Sequence, residues 1–269
     1  MKKILALAMV VAMIAVMAVS TFAADTETGL VGFYKFEGNL KNEVGGEAAP
    51  IGKLLAAPAG DAVFADGKLT TSSAIGDGVK LDVTLEKDFT VSFYTKVEGY
   101  LFASPQIWMG GSNQSPESWI GVWSTFDGAH GLSIGSNDAA GARVGAEVAV
   151  TYPTEEVYVT ITVADGVGTL YHNGVEVAKT ADGALLPNPW ADKDDCALYI
   201  AANVWDSPSD ATYDNLTVYN RALSADDVAA LYAAGGVPTT GDAPQTGFAT
   251  VALAIAAIAS GAYIVTKKH

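Results

Sequence analysis

Cysteine occurs once, as Cys196, so no disulfide can form within the chain and the fold must rest on its core. Histidine is almost as scarce. His130, His172 and His269 lie far apart and have no zinc-ligand spacing among them. Positive charge is also short: 15 lysines and arginines face 30 aspartates and glutamates, a net charge of −15. Such a surface repels nucleic acid and anionic lipid, and it is compatible with neutral glycans and divalent cations. It also serves plain solubility. Helical periodicity is missing before Ser224, which argues against an alternating α/β enzyme.

Long apolar runs are confined to the two ends. Met1-Lys2-Lys3 is a basic start, residues 4–19 are apolar, and Thr21-Phe22-Ala23 offers small residues for cleavage after Ala23. Residues 1–23 therefore read as a signal peptide, too short and too abruptly ended for a spanning helix. At the other end an apolar run over 248–265 is followed by Lys267-Lys268-His269. At ~1.5 Å per residue it spans ~27 Å, enough for a bilayer core, with the lysines on the cytoplasmic side. Removing both ends takes away Lys2, Lys3, Lys267 and Lys268 and no acid, so the exported part is more acidic still.

Asp242-Ala243-Pro244-Gln245-Thr246-Gly247 before that tail resembles a sortase sorting signal of Gram-positive surface proteins. The resemblance implies cleavage between Thr246 and Gly247 and attachment of Thr246 to peptidoglycan. Ala243 stands where the family pattern has leucine, which leaves the sortase class open. The alternative is a plain tail anchor in the membrane. The organisation expected is a signal peptide at 1–23, one domain at 28–236, a linker and sorting motif at 237–246, and a hydrophobic tail with a basic end at 247–269. Ten residues from Val237 to Thr246 reach at most ~35 Å, so the domain would sit close to its anchor.

Between the ends, alternating or wholly apolar runs recur, separated by Gly, Asp, Asn and Pro. Strands are expected over 30–36, 78–83, 89–97, 157–163, 169–172, 175–178 and 197–202. Asp165-Gly166 reads as a turn, and Asn173-Gly174 is the strongest short hairpin signal available. Residues 213–235 compress a strand, a turn and a capped helix. Leu216 and Val218 alternate in phase, Ser224 is an N-cap with Asp227 three residues on, and Val228, Leu231 and Tyr232 share a helical face. Gly235 and Gly236 stop that helix and Pro238 follows.

This closing stretch resembles the C-terminal end of laminin G-like jelly-roll domains of the concanavalin A-like lectin/glucanase superfamily. Phe33-Tyr34-Lys35-Phe36-Glu37-Gly38-Asn39 is similar to the family's opening strand and loop. Phe89-Thr90-Val91-Ser92-Phe93-Tyr94 is similar to its central strand, and residues 168–177 to its hairpin. The fold implied is all-β: a two-sheet antiparallel jelly-roll sandwich with one short C-terminal helix. The resemblance also implies a structural calcium between the loop after the first strand and the last strand. The matching positions are Glu37, Asn39 and Asp214, with Asn42 and Glu43 as alternatives. Hard cations take such oxygen ligands from irregular loops. Asp192-Lys193-Asp194-Asp195 lacks the glycine and glutamate of an EF-hand loop.

Catalysis is poorly supplied. Glucanases of this superfamily carry Glu-x-Asp-x-x-Glu on one strand, where two acids can flank a glycosidic bond. That run is absent, so no catalytic residue is assigned. Gly131-Leu132-Ser133-Ile134-Gly135 fits the nucleophile-elbow pattern but is not followed by a helix. Aromatic residues supply a different chemistry. Sugars stack their apolar faces on indole rings while amides and acids take the hydroxyls. Trp190 lies in a Pro-rich stretch, and Trp205 lies between Asn203 and Asp206, so these four are the expected carbohydrate contacts. Trp119 and Trp123, four apart, share a face if their segment is extended. The function expected is a wall-anchored, non-catalytic module binding an extracellular glycan or glycosylated partner. The alternatives are a protein-adhesion module with no sugar site and a cryptic glycosidase or lyase.

Overall fold

The computed structural model describes residues 26–52, 60–72, 78–99, 105–110, 118–126, 129–137, 143–150, 155–181, 197–202 and 210–239. Thr26–Pro238 forms one compact unit. Its elements in chain order are β1 (Leu30–Tyr34), β2 (Ala49–Ile51), β3 (Val63–Ala65), β4 (Lys68–Thr71), β5 (Gly78–Lys80), β6 (Phe89–Gly99) and β7 (Pro105–Gly110). There follow β8 (Ser118–Phe126), β9 (Ala129–Asn137), β10 (Arg143–Val150), β11 (Val157–Ala164), β12 (Val167–His172), β13 (Val175–Lys179), β14 (Ala197–Ile200), β15 (Asp210–Tyr219) and the helix α1 (Ala225–Ala233). Every pairing between these strands is antiparallel.

Two sheets result. The eight-stranded sheet runs β13-β12-β11-β6-β15-β4-β3, with β1 also on β15, and the seven-stranded sheet runs β10-β9-β8-β7-β14-β5-β2. The expected jelly-roll-like sandwich is what the chain adopts. Alternation explains the layering. On β6, Phe89, Val91 and Phe93 enter the core, and on β7 Ile107 and Met109 meet them from the other sheet. Leu198, Ile200, Tyr213, Leu216 and Val218 complete the same cluster.

Tight turns set the register. Asn173-Gly174 joins β12 to β13 with φ of 51° and 78°, and Asp165-Gly166 joins β11 to β12 with 46° and 78°. Asp66-Gly67, not singled out in the sequence, makes the same kind of turn between β3 and β4 at 51° and 75°. Two positive φ values in succession suit the twist of a two-residue hairpin.

The helix covers the outer face of the eight-stranded sheet. Ser224 caps it with a complete capping box to Asp227. Val228 and Leu231 pack on Tyr158, Tyr171 and Tyr219, so tyrosines on the face away from the main core are buried as well. β15 is the hub of that sheet. Its first half pairs with β4, its second half with β1, and its whole length with β6. A bulge separates Asp214 from Thr217, and Asn215 within it has φ 45°. The Asn215 side-chain amide donates to the Gly235 carbonyl at 3.2 Å, which ties the bulge to the end of α1. Among the described residues no helix is long and apolar enough to cross a membrane. The two apolar ends read from the sequence lie outside the described residues.

Candidate functional site

The first region of interest is the corner where the chain leaves β1. Tyr34 sits opposite Leu216, so the segment after β1 starts out beside the Asp214-Asn215 bulge. Phe36 turns sharply there, with φ 57°, and its ring stacks on Tyr34 at 6.0 Å. A bulky residue in this left-handed region is strained and must be held by its surroundings. Burial of Phe36 in the core supplies that hold. Asn39 organises the exposed loop that follows. Its Oδ1 accepts the Lys41 N–H at 3.0 Å and its Nδ2 donates to the Glu37 carbonyl at 3.2 Å.

Asp214 lies on the last strand, and Glu37 of this loop enters its electrostatic surroundings. Asp214 is half-buried, and its Oδ1 accepts the Asn215 N–H at 2.8 Å. Burial pushes its carboxyl above the ordinary aspartate range, and the negative charges of Glu156 and Glu37 push the same way. The Asn215 hydrogen bond and the Lys68 charge oppose that rise. Lys68 on β4 and Glu156, just before β11, form an ion pair although β15 and β6 lie between their strands. Glu37 and Asp214 thus belong to one electrostatic neighbourhood, which Glu156 and Lys68 also enter.

Asn39 spends its amide on its own loop. Asn42 is buried and pins the loop from beneath, its Oδ1 accepting Phe33 N–H at 2.9 Å and Val44 N–H at 3.1 Å. Glu43 pairs with Lys41 at 2.8 Å. Among the described residues no three acid, histidine or cysteine side chains converge as metal ligands do. A cation here would have to combine few carboxylates with backbone carbonyls.

The second region is the outer face of the seven-stranded sheet. Directly paired residues share a face. Ile107 and Met109 face the core and pair with Val122 and Ile120. Trp108 pairs with Gly121, both are buried, and the β8 positions two removed from Gly121 share its register phase. Those positions are Trp119 and Trp123. β8 is extended across both, as their spacing required.

The register partners of these two positions are three glycines and a proline. Trp119 stands between Gly110 on β7 and Gly135 on β9, and Trp123 between Pro105 on β7 and Gly131 on β9. One strand further, Gly145, Glu147 and Ala149 of β10 follow Gly135, Ser133 and Gly131. On the β7 side the face is closed, because Trp108 and Tyr199 are buried together with Ala202.

This register gives Gly131-Leu132-Ser133-Ile134-Gly135 a different meaning from a nucleophile elbow. The whole stretch is internal to β9, so its glycines and serine share one register phase and Leu132 and Ile134 the other, paired with Val122 and Ile120. The strand-turn-helix context that an elbow needs is not there. Trp190, Trp205, Asn203 and Asp206 lie outside the described residues, as do Thr246 and Gly247.

The profile of a laminin G-type family, described as the concanavalin A-like lectin/glucanases superfamily, matches residues 66–229. No curated protein matches the chain. Solved structures share the fold. Domain 4 of AbnA, a GH43 extracellular arabinanase from Geobacillus stearothermophilus, in complex with arabinotriose, aligns at TM-score 0.58 and 20% identity over 76% of this chain and 98% of that domain. The binding domain of Paraclostridial Mosquitocidal Protein 1 aligns at 0.55 and 17% over 79% of this chain and 53% of that one. Trypanosoma rangeli sialidase in complex with sialic acid aligns at 0.57 and 18% over 79% of this chain but only 34% of the sialidase. The same sandwich therefore occurs both in a structure named as a binding domain and in the chain of a glycosidase.

Proposed function

The chain belongs to the concanavalin A-like lectin/glucanases superfamily, and on that premise we propose that it is a non-catalytic module that binds extracellular glycans or glycosylated partners. The observation that carries this reading is the register of β7 to β9, which puts the Trp119 and Trp123 positions in one phase of β8 with a glycine paired to each. Indole positions flanked by residues without side chains suit stacking against a sugar ring. Trp190, Asn203, Trp205 and Asp206 are further contacts in this proposal. The non-catalytic part is supported by the missing Glu-x-Asp-x-x-Glu run and by the position of Ser133 in the middle of a strand.

The setting is the cell exterior. Residues 1–23 act as a cleaved signal peptide, sortase cuts between Thr246 and Gly247, and Thr246 is joined to peptidoglycan. Calcium braces the corner through Glu37 and Asp214, with Asn39 on the adjoining loop. Many copies on one wall would raise weak binding per module into firm attachment.

A glycan array probed with the full chain tests the binding reading. Binding to at least one glycan class, weakened tenfold or more in both Trp119→Ala and Trp123→Ala, is the expected result. A correctly folded chain that retains no glycan on the array would overturn it and favour protein adhesion. Cell-wall release by muralytic digestion, lost in Thr246→Ala, tests the anchoring.

A further inference from the structure

We infer that Asn173 is a site of spontaneous deamidation which the fold keeps shut, and that its isoaspartyl product loosens β13 and α1 from the domain. An asparagine followed by glycine is open to this reaction, because glycine has no side chain to shield its nitrogen. The Gly174 nitrogen bonds to Asn173 Cγ, the Cγ–Nδ2 bond breaks, and the proton of Gly174 N–H leaves with Nδ2 as ammonia. Water then opens the five-membered imide. Cleavage at the former side-chain carbonyl gives aspartate, and cleavage at the backbone carbonyl gives isoaspartate. Water is the only reactant needed.

Two features of the turn hold the reaction off. Asn173 and Gly174 have φ of 51° and 78°, as in a type I′ turn. There the first residue has ψ of about +30°, so the Gly174 nitrogen stands nearly opposite Asn173 Cβ across the Cα–C bond. Imide closure needs those two atoms eclipsed. The side chain is held as well. Asn173 Oδ1 accepts the Tyr158 N–H at 2.9 Å, and the Asn173 N–H donates to the Tyr158 carbonyl at 2.8 Å.

β13 is where this lock opens. It is the edge of the eight-stranded sheet, and its register with β12 slips at Val177. Val175 and Val177 are 66% and 45% exposed. A strand with so little buried surface opens at lower cost than the core strands. Asn173 itself is exposed, so water reaches it once the turn lets go. Isoaspartate then adds one carbon to the main chain where there is no room for it. A Cβ on Gly174 would lie 3.2 Å from both Ala229 Cα and Tyr232 Cδ1, so the turn lies against α1. Tyr232 in turn stacks on Tyr158 at 5.9 Å. Aspartate, by contrast, keeps a side-chain oxygen for the Tyr158 N–H.

The test incubates the full chain in mildly alkaline buffer, native and unfolded in urea, and follows Asn173 by peptide mapping. Labelling with isoaspartyl methyltransferase separates the two products. Conversion at Asn173 should be tenfold or more slower in the native chain, and urea below the unfolding transition should already raise it. Chain enriched in isoaspartate at position 173 should melt below the parent, whereas Asn173→Asp should melt close to it. Equal rates in the native and unfolded chain would overturn the lock. No conversion in the unfolded chain would overturn the site. An isoaspartyl chain that melts with the parent would overturn the link to β13 and α1.

Discussion

The side-chain oxygen of Asn42 accepts the backbone N–H of Phe33 at 2.9 Å, nine residues earlier in the chain. The same oxygen accepts Val44 N–H, and the amide donates to the Val31 carbonyl at 3.2 Å. One buried side chain thus fastens the loop after β1 to β1 itself.

Asn42→Ala removes all three bonds and leaves a buried backbone N–H at Phe33 unsatisfied. The expected cost is about 2–3 kcal/mol. At about 2–4 °C per kcal/mol for a domain of this size, thermal unfolding should show a clear drop. A loss below about 0.5 kcal/mol would mean that the loop is held by something other than Asn42.

Asp214 should make stability depend on pH in an unusual direction for an acid. Its folded carboxyl is raised, first by burial and then by Glu156 and Glu37. The folded state therefore holds the proton more tightly than the unfolded state. The contribution is fully present below the ordinary aspartate value of about 3.9 and is lost as pH rises through the folded value. Asp214→Asn keeps the acceptor for Asn215 N–H and removes the charge. It should melt higher than the parent at pH 7, with the difference vanishing near pH 4. Calcium adds a second arm. If the ion sits between Glu37 and Asp214, added calcium raises the melting temperature of the parent and not of Asp214→Asn. Equal responses in both would remove calcium from this corner.

The cap of α1 supports an ordered pair of variants. Ser224 Oγ accepts Asp227 N–H at 3.1 Å, and Asp227 Oδ2 accepts both Ser224 N–H at 3.2 Å and Arg221 Nη1–H at 3.1 Å. Arg221 in turn donates to the Thr28 carbonyl at 2.7 Å, which links the helix start to the segment before β1. Ser224→Ala should cost about 1 kcal/mol. Asp227→Ala should cost more, because it also releases Arg221. The reverse order in chemical denaturation would show that the arginine link contributes nothing.

Legibility in the sequence varied by element. Asn173-Gly174 and the Ser224 cap were readable because each is a local rule satisfied within a few residues. The central strand at Phe89 was readable because its apolar alternation is clean. β8 to β10 were not, because Gly131, Gly135 and Gly145 have low strand propensity and imitate loop punctuation. Their strand character comes from cross-strand partners. At the corner, Asp214 was legible only through family resemblance. Its neighbours Lys68 and Glu156, 88 residues apart, come together through the order of β4, β15, β6 and β11. No local pattern encodes that order.

Gly236 and its neighbour Gly235 separate two costs that sequence alone cannot. Both are left-handed, with φ of 75° and 72°. A Cβ on Gly235 would meet nothing within 4 Å, whereas one on Gly236 would lie 2.9 Å from Tyr158 Cε2 and 3.2 Å from Tyr94 Cε2. Those tyrosine rings are themselves packed at 4.6 Å, so they have little freedom to yield. Gly235→Ala should cost only the backbone penalty of about 1–2 kcal/mol. Gly236→Ala adds an overpacking cost of about 1–3 kcal/mol to the same penalty. Thermal melts of the two variants side by side isolate the packing part, and equal losses would mean that the Tyr94-Tyr158 pair shifts without resistance.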